Sequence, residues 1–302
     1  MTKPNTFIVG APKCGTTALC HYLGLHPNVF MCDPKEPHFF AHKDMPGRKH
    51  YYKNLDEYLK LFRGVNPTET VVVEGSVWYL YADNALENIY RFAPDARIIV
   101  MLRRPDEMVY SYHKQALVSF NEDVSDFEKA WHISTQPDRP RTVPNMCDEP
   151  KVLQYGEIAK YGKQLTQLFS IFPRGQILIL LFEDLTSNTH GVYTNVLKFL
   201  DIPLIYPASF EKVNENKVIH NKFLGKLLTY PPATLVNISS KFKAALGIEK
   251  FNLRNRLLNA ISSKQHRLPL SEVTRKSILA HYQSDIMKTQ ELLGRDLSHW
   301  LK

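Results

Sequence analysis

Apolar residues gather along this chain in short unbroken runs rather than in alternation. Such runs occupy residues 7–9, 71–73, 97–102 and 176–182, each bounded by turn formers or charged residues. A strand with one wet face alternates apolar and polar positions, whereas a strand covered on both faces does not; these runs therefore predict a buried, largely parallel sheet. Between them, residues 16–25, 86–92, 105–120, 158–172 and 193–200 read as helices. Strand and helix alternate, which predicts an α/β fold of three layers with a central, mostly parallel sheet flanked by helices. The last segment, 271–293, is amphipathic and ends before Gly294, a residue suited to a helix C-terminus. No internal repeat or low-complexity tract appears. Residues 1–302 are expected to form a single domain, in which 212–270 is a basic helical segment and 271–302 a C-terminal helix packed on the core.

The first strand runs into "GAPKCGTT", residues 10–17. Its two glycines have Walker A spacing, but Thr16 and Thr17 stand where Lys and Ser/Thr would follow the second glycine, and the lysine lies inside the loop at Lys13. Successive backbone N–H groups that feed a helix N-terminus attract an anion whichever residue supplies the extra charge. Lys13, Cys14, Gly15, Thr16 and Thr17 thus form a candidate phosphate site, and the domain is P-loop-like. With no lysine after the second glycine and no obvious acidic metal partner, a Mg²⁺-triphosphate is not the expected ligand. The alternative is a plain glycine turn between strand and helix. A second stretch, "RIIVMLRRPDEMVYSYHKQ", is a buried strand ending at Leu102, then Arg103, then Pro105 at a favourable first helical position. Arg103 and Ser111, eight residues apart, can grip one phosphate together, with the arginine acting as a bidentate fork. Open α/β sheets place their ligands at such C-terminal strand ends. A surface arginine and an unrelated helical serine are the alternative.

Bulk composition narrows the picture. Residues are 44% hydrophobic, 23% charged and 11% aromatic, which excludes a disordered or fibrous chain. A formal charge of +8 favours anionic partners. The four cysteines, Cys14, Cys20, Cys32 and Cys147, form no CxxC pair and no tight Cys/His cluster and are read as reduced thiols, so no metal is expected. The first apolar run is too short for a signal peptide or membrane span, which gives a cytoplasmic expectation. From Lys212 to Arg267 eleven Lys or Arg face only Glu215 and Glu249. That segment suits an acidic glycan, peripheral contact with anionic lipid, or a solvated helical face over an acceptor cleft. Basic residues interleaved with stacking aromatics are missing, so no nucleic-acid partner is expected. Trp78, Tyr79 and Tyr81 follow a strand end, where they either stack on a sugar or phenol or belong to the core.

Five stretches together carry a family resemblance: "PKCGTTAL" with the following "LHP", "KEPHFF", "RRPDEMVYSYHKQ", "FPRGQILILLFEDL" continuing to "FLDI", and "LLGRDLSHW". In this order they resemble the sulfotransferases that use 3′-phosphoadenosine 5′-phosphosulfate (PAPS), most closely the carbohydrate type that includes the heparan sulfate sulfotransferases and their bacterial relatives. The resemblance implies that Lys13 to Thr17 hold the 5′-phosphosulfate and that Arg103 and Ser111 bind the 3′-phosphate. It implies that Glu36 of "KEPHFF" is the catalytic base, that His38 orients or shares its proton, and that Lys13 stabilises the leaving oxygen. A C-terminal loop completes the nucleotide site in the family; "NENKVIHNK" lies in that region, with Lys217 and Lys222 as the positions assigned to it. Without the family match, Glu36 and His38 read as a solvated loop in which Lys35 offsets Glu36. One departure stands out. Where animal heparan enzymes have Glu-Lys-Thr-Pro, this chain has Glu74, Gly75, Ser76 and Val77, so a highly sulfated acceptor bound in the same way is not implied. The expected activity is in-line sulfuryl transfer from PAPS to a hydroxyl or amine, on a glycan or glycolipid acceptor among other possibilities, without metal. Its rivals are a nucleotide-dependent kinase with an altered P-loop and a non-catalytic polyanion- or membrane-binding protein on the same fold.

Overall fold

The structure is a computed structural model that describes residues 2–45, 52, 54–136, 142–211, 217–219, 262–264 and 270–302, with backbone only for 217–219 and 262–264. Its strands are β1 (Thr6–Gly10), β2 (Val29–Met31), β3 (Val71–Gly75), β4 (Arg97–Leu102), β5 (Ile177–Leu181), β6 (Lys217–Ile219) and β7 (Ser262–Lys264). The helices are α1 (Thr16–Leu23), α2 (Leu55–Leu59), α3 (Ala85–Phe92), α4 (Pro105–Val118), α5 (Phe127–Thr135), α6 (Tyr155–Ile158), α7 (Tyr161–Ile171), α8 (Phe182–Ser187), α9 (Thr189–Phe199) and α10 (Glu272–Leu293).

Strands β1 to β5 form one sheet in the order β2-β3-β1-β4-β5, and every pairing is parallel. Every residue of β1 and β3 is buried, which is why these runs show no alternation in sequence. Each large apolar side chain so buried contributes about 1.5–3 kcal/mol. The order also has a functional consequence. From β1 the chain builds β2 and β3 on one side and then crosses to β4 and β5 on the other, so connections diverge from the C-terminal end of the central strand.

Two expected elements differ. The helix expected over 158–172 is α7, which starts at Tyr161 after the separate short α6; the carboxylate of Asp285 on α10 accepts the backbone N–H groups of Gly162 (2.9 Å) and Lys163 (3.1 Å) and caps that start. The helix expected from 193 begins at Thr189, where Asn188 accepts from Gly191 N at 2.9 Å. Strand β2 has no clear sequence signal, being three residues at the sheet edge. The closing segment is helical as expected. Thr274, Ile278, Tyr282 and Ile286 lie buried at four-residue spacing, Ser271 caps its start and Gly294 (φ 60°) its end. Helix α10 packs on α7 and α4, and the tail beyond it docks on α8: Arg295 pairs with Asp184, and Trp300 Nε1 donates to Glu183 Oε1 at 2.9 Å. Trp300 is fully buried.

The basic segment 212–270 lies outside the described residues except for β6 and β7, which pair antiparallel. The proposed glycan or lipid contact through 212–267 falls there too. No helix among the described residues is long and apolar enough to cross a membrane.

Candidate active site

All five parallel strands end at the same edge of the sheet, and the sequence-derived residues lie in the segments that follow. The loop after β1 climbs to α1 through two left-handed residues, Lys13 (φ 62°) and Gly15 (φ 90°). Gly15 is required twice over: its φ suits glycine, and a Cβ there would meet Phe182 Cδ2 at 2.9 Å. The loop's amides lead directly into α1, where Thr16 is buried and Thr17 half-buried. Cys14 contributes backbone only. Its thiol is buried, donates to Pro12 O at 3.4 Å and lies 3.7 Å from the Tyr161 hydroxyl; burial pushes its pKa up to about 12, so it stays a neutral thiol. Tyr161 packs in turn on Trp300, which props the loop from the C-terminal tail. All four cysteines are free thiols.

Arg103 follows β4 and is nearly buried. Its Nε and Nη2 donate to Glu107 Oε2 at 2.9 and 2.7 Å, its Nη1 donates to the backbone O of Lys13 at 3.3 Å, and its guanidinium lies 4.4 Å from the Phe182 ring centre. Lys13 reaches the same helix from the other side, with Nζ donating to Gln115 Oε1 at 3.1 Å. Glu107, Ser111 and Gln115 are four residues apart and so share one stripe of α4. Ser111, buried, is therefore bracketed by the Arg103 and Lys13 contacts. The structure thus brings Lys13, Arg103 and Ser111 together: two cations, a hydroxyl and a helix start on one patch. Strand β6, which begins at Lys217, lies against α4. Lys222 is outside the described residues.

The base loop follows β2. Glu36 (φ 66°) and His38 (φ 52°) both adopt left-handed backbone, which costs of order 1–3 kcal/mol each and persists only where surroundings enforce it. Three hydrogen bonds to the segment after β3 do so: Glu36 N to Gly75 O (3.1 Å), His38 N to Ser76 Oγ (3.0 Å) and Phe40 N to Tyr79 OH (3.3 Å). The Glu36 carboxylate lies 2.8 Å from Lys35 Nζ and 3.3 Å from His38 Nε2. Burial works against its charge, but His38 and the Lys35 ammonium outweigh that and hold the carboxyl well below the usual carboxylate range. The plain solvated-loop alternative does not describe this geometry, since His38 is buried and the Glu36 backbone is pinned to β3. Cys20, one turn along α1 from Thr16 and Thr17, and Lys35 of the base loop both approach Gly75, where a Cβ would lie 3.1 Å from Cys20 Sγ and 3.7 Å from Lys35 Cε, so α1 reaches from the anion loop to the base loop. Gly75, the position at which the family resemblance would place a lysine, is closely packed against α1, with Cys20 Sγ as the nearest neighbour a Cβ there would meet.

Sequence reasoning missed Glu107, Gln115, Phe182 and Glu74. The first two sit at helical spacing from Arg103 and were legible in principle; Phe182 is the residue directly after β5, the counterpart of Arg103 after β4. Trp78 and Tyr79 are buried core rather than open stacking surfaces, while Tyr81 is half-buried, with its hydroxyl donating to Lys151 O (3.2 Å).

Comparison with known proteins is consistent with this arrangement. The family described as sulfotransferase domain matches residues 3–226. A bifunctional heparan sulfate N-deacetylase/N-sulfotransferase 3 of Mus musculus is 27% identical over 212 residues, covering 68% of this chain and 23% of the mouse protein. Carbohydrate sulfotransferase 15 of Homo sapiens is 29% identical over 250 residues, covering 66% of this chain and 44% of the human protein. The chain thus spans less than half the length of either relative. A sulfotransferase from Alicyclobacillus acidocaldarius shares the fold over 100% of both chains, with a TM-score of 0.74 and 23% identity. Because the family match spans the anion loop, the base loop, Arg103 and all of the chain to the end of α9, the chain belongs to the sulfotransferase family.

Proposed function

We propose that the protein transfers the sulfuryl group of PAPS to a hydroxyl or amine of a carbohydrate or glycoconjugate acceptor, with Glu36 as base. The observation that carries this reading is a cationic phosphate grip and a paired carboxylate on a pinned loop, both placed at the C-terminal edge of one parallel sheet. The residues fit the donor. Lys13 and the amides of 13–17 suit its 5′-phosphosulfate, on a loop that turns through left-handed Lys13 and Gly15 into the start of α1, and Arg103 with Ser111 suits its 3′-phosphate.

The donor supplies a sulfuryl group on a phosphate leaving group. Glu36 takes the acceptor O–H or N–H proton while the acceptor atom forms its bond to sulfur; the pair from the broken sulfur–oxygen bond goes to the phosphate oxygen, whose charge Lys13 neutralises. Lys35 and His38 keep Glu36 ionised and aimed before the proton arrives. The names of the relatives, which specify heparan sulfate and carbohydrate, support a sugar acceptor. Gly75 in place of a lysine supports an acceptor with fewer sulfates than heparan.

Calorimetric titration with 3′-phosphoadenosine 5′-phosphate (PAP), against Mg²⁺-ATP, tests the donor. Metal-independent PAP binding is expected; preference for Mg²⁺-ATP would turn the case toward a kinase. Glu36→Gln should keep PAP affinity and lose turnover by about 10² or more. Full turnover in that variant would remove Glu36 as the base, and binding indifferent to Glu36 without any turnover would leave a polyanion-binding protein.

A further inference from the structure

Strand β3 ends beneath the base loop in a carboxyl that the scheme above does not use. Glu74 is wholly buried. Its Oε2 accepts from the Tyr79 hydroxyl at 2.8 Å and the Tyr58 hydroxyl at 3.2 Å, and its Oε1 has no hydrogen-bond partner among the described residues. A buried carboxyl with an unpartnered oxygen is costly, and a fold that needed only filling would place an apolar side chain there. The groups facing it come from every neighbouring element: Tyr58 from α2, Cys20 from α1, Cys32 after β2, Ser76 and Tyr79 after β3, and Lys35 with Glu36 from the base loop. Burial raises the Glu74 pKa to about 7; the Ser76, Tyr79 and Tyr58 hydroxyls pull the other way, and the Glu36 charge adds to the rise.

The same residues hold the base loop. The Tyr79 hydroxyl that donates to Glu74 also accepts from Phe40 N, and Ser76, two residues after Glu74, accepts from His38 N. We propose that Glu74 is a positioning residue for sulfuryl transfer: through Tyr79 it fixes the loop carrying Glu36 and His38, and its charge acts on Glu36 across the buried gap. This inference rests on Glu36 being the base. A second negative charge nearby makes the Glu36 carboxylate hold a proton more tightly and so act as a stronger base. Turnover should therefore climb as pH rises through neutrality and Glu74 ionises.

The test is Glu74→Gln, which keeps the shape and removes the charge. PAP affinity should stay within about twofold, while turnover with PAPS and desulfated heparan as probe acceptor at pH ~8 falls about tenfold and its rise through neutral pH disappears. A purely structural residue would lower activity without flattening the profile. An arm that needs no acceptor is infrared titration of the folded protein. A carboxyl signal absent from Glu74→Gln should titrate near neutrality in the parent protein and at lower pH in Glu36→Gln, because coupling between two sites is mutual. A parent-like pH profile and turnover in Glu74→Gln, or a Glu74 signal indifferent to Glu36→Gln, overturns the proposal. Should Glu74→Gln fail to fold, Tyr79→Phe decides: reduced turnover with the neutral-pH rise retained supports it, and unchanged turnover overturns it. Normal turnover in Glu36→Gln would instead sink the base assignment itself, so the two failures are distinguishable.

Discussion

Replacing Arg103 by alanine isolates the half of the nucleotide grip that no other side chain duplicates. In the protein alone the change is mild. The Arg103–Glu107 pair has a half-exposed carboxylate partner, and pairs of that kind are worth about 0–1 kcal/mol; the contact with the Phe182 face adds about 0.5–1 kcal/mol. For a bound 3′-phosphate the loss is larger, because hydrogen bonds to charged groups contribute about 1.5–3 kcal/mol each and this arginine offers a two-pronged fork. Glu107 must give up its two contacts with Arg103 when a phosphate takes them, which returns part of that gain. The net expectation is about 3 kcal/mol, or PAP binding about a hundredfold weaker. Calorimetry with two ligands makes this specific. Adenosine 5′-phosphosulfate has no 3′-phosphate, so its affinity should be nearly the same in both proteins. Equal losses for both ligands would show that Arg103 supports the loop through Lys13 O rather than gripping the 3′-phosphate, and a PAP loss below about threefold would refute the assignment altogether.

The same geometry makes further predictions. Glu107→Gln removes the carboxylate that competes for Arg103, so PAP affinity should rise by about three- to tenfold at low salt and the gain should shrink as salt is added. Lys35→Met removes one of the groups that hold Glu36 below the usual carboxylate range while burial still opposes its charge. The Glu36 pKa then rises, so the acid limb of the rate profile, and the stability that ionised Glu36 contributes and loses as pH falls through that pKa, should both move to higher pH. Trp300→Ala should cost about 3–5 kcal/mol in denaturant unfolding and weaken PAP binding as well, because Tyr161 behind Cys14 loses its support.

Much of this fold is legible in the chain because its central strands are buried on both faces. The unbroken apolar runs at β1, β3 and β4 read as strands covered on both faces, the edge strand β5 is apolar though half-buried over its first three residues, and Gly15, Pro105 and Gly294 mark turns whose backbone demands are local. The start of α7 at Tyr161 was not legible, since its cap is Asp285, more than a hundred residues away on α10. Trp78 and Tyr79 look like sugar platforms in sequence because aromatic residues serve cores and binding surfaces alike; only burial separates the two uses.

The candidate site follows a different logic, in which topology does what spacing cannot. Lys13, Glu36, Glu74, Arg103 and Phe182 are dispersed over most of the sheet-forming chain, so no motif window contains them. A sheet whose five strands all run the same way puts the residues after each strand on one edge, and each of these five lies at or just beyond a strand's C-terminal end. Four of them are charged, and each charge has its own answer: Glu107 for Arg103, Gln115 for Lys13, Lys35 and His38 for Glu36. Glu74 is the exception, buried with the Tyr58 and Tyr79 hydroxyls on Oε2 and, among the described residues, no hydrogen-bond partner on Oε1. A carboxyl left in that condition on the strand that anchors the base loop is where the sheet's geometry and the reaction's proton inventory meet, and the pH at which it ionises is the property to measure.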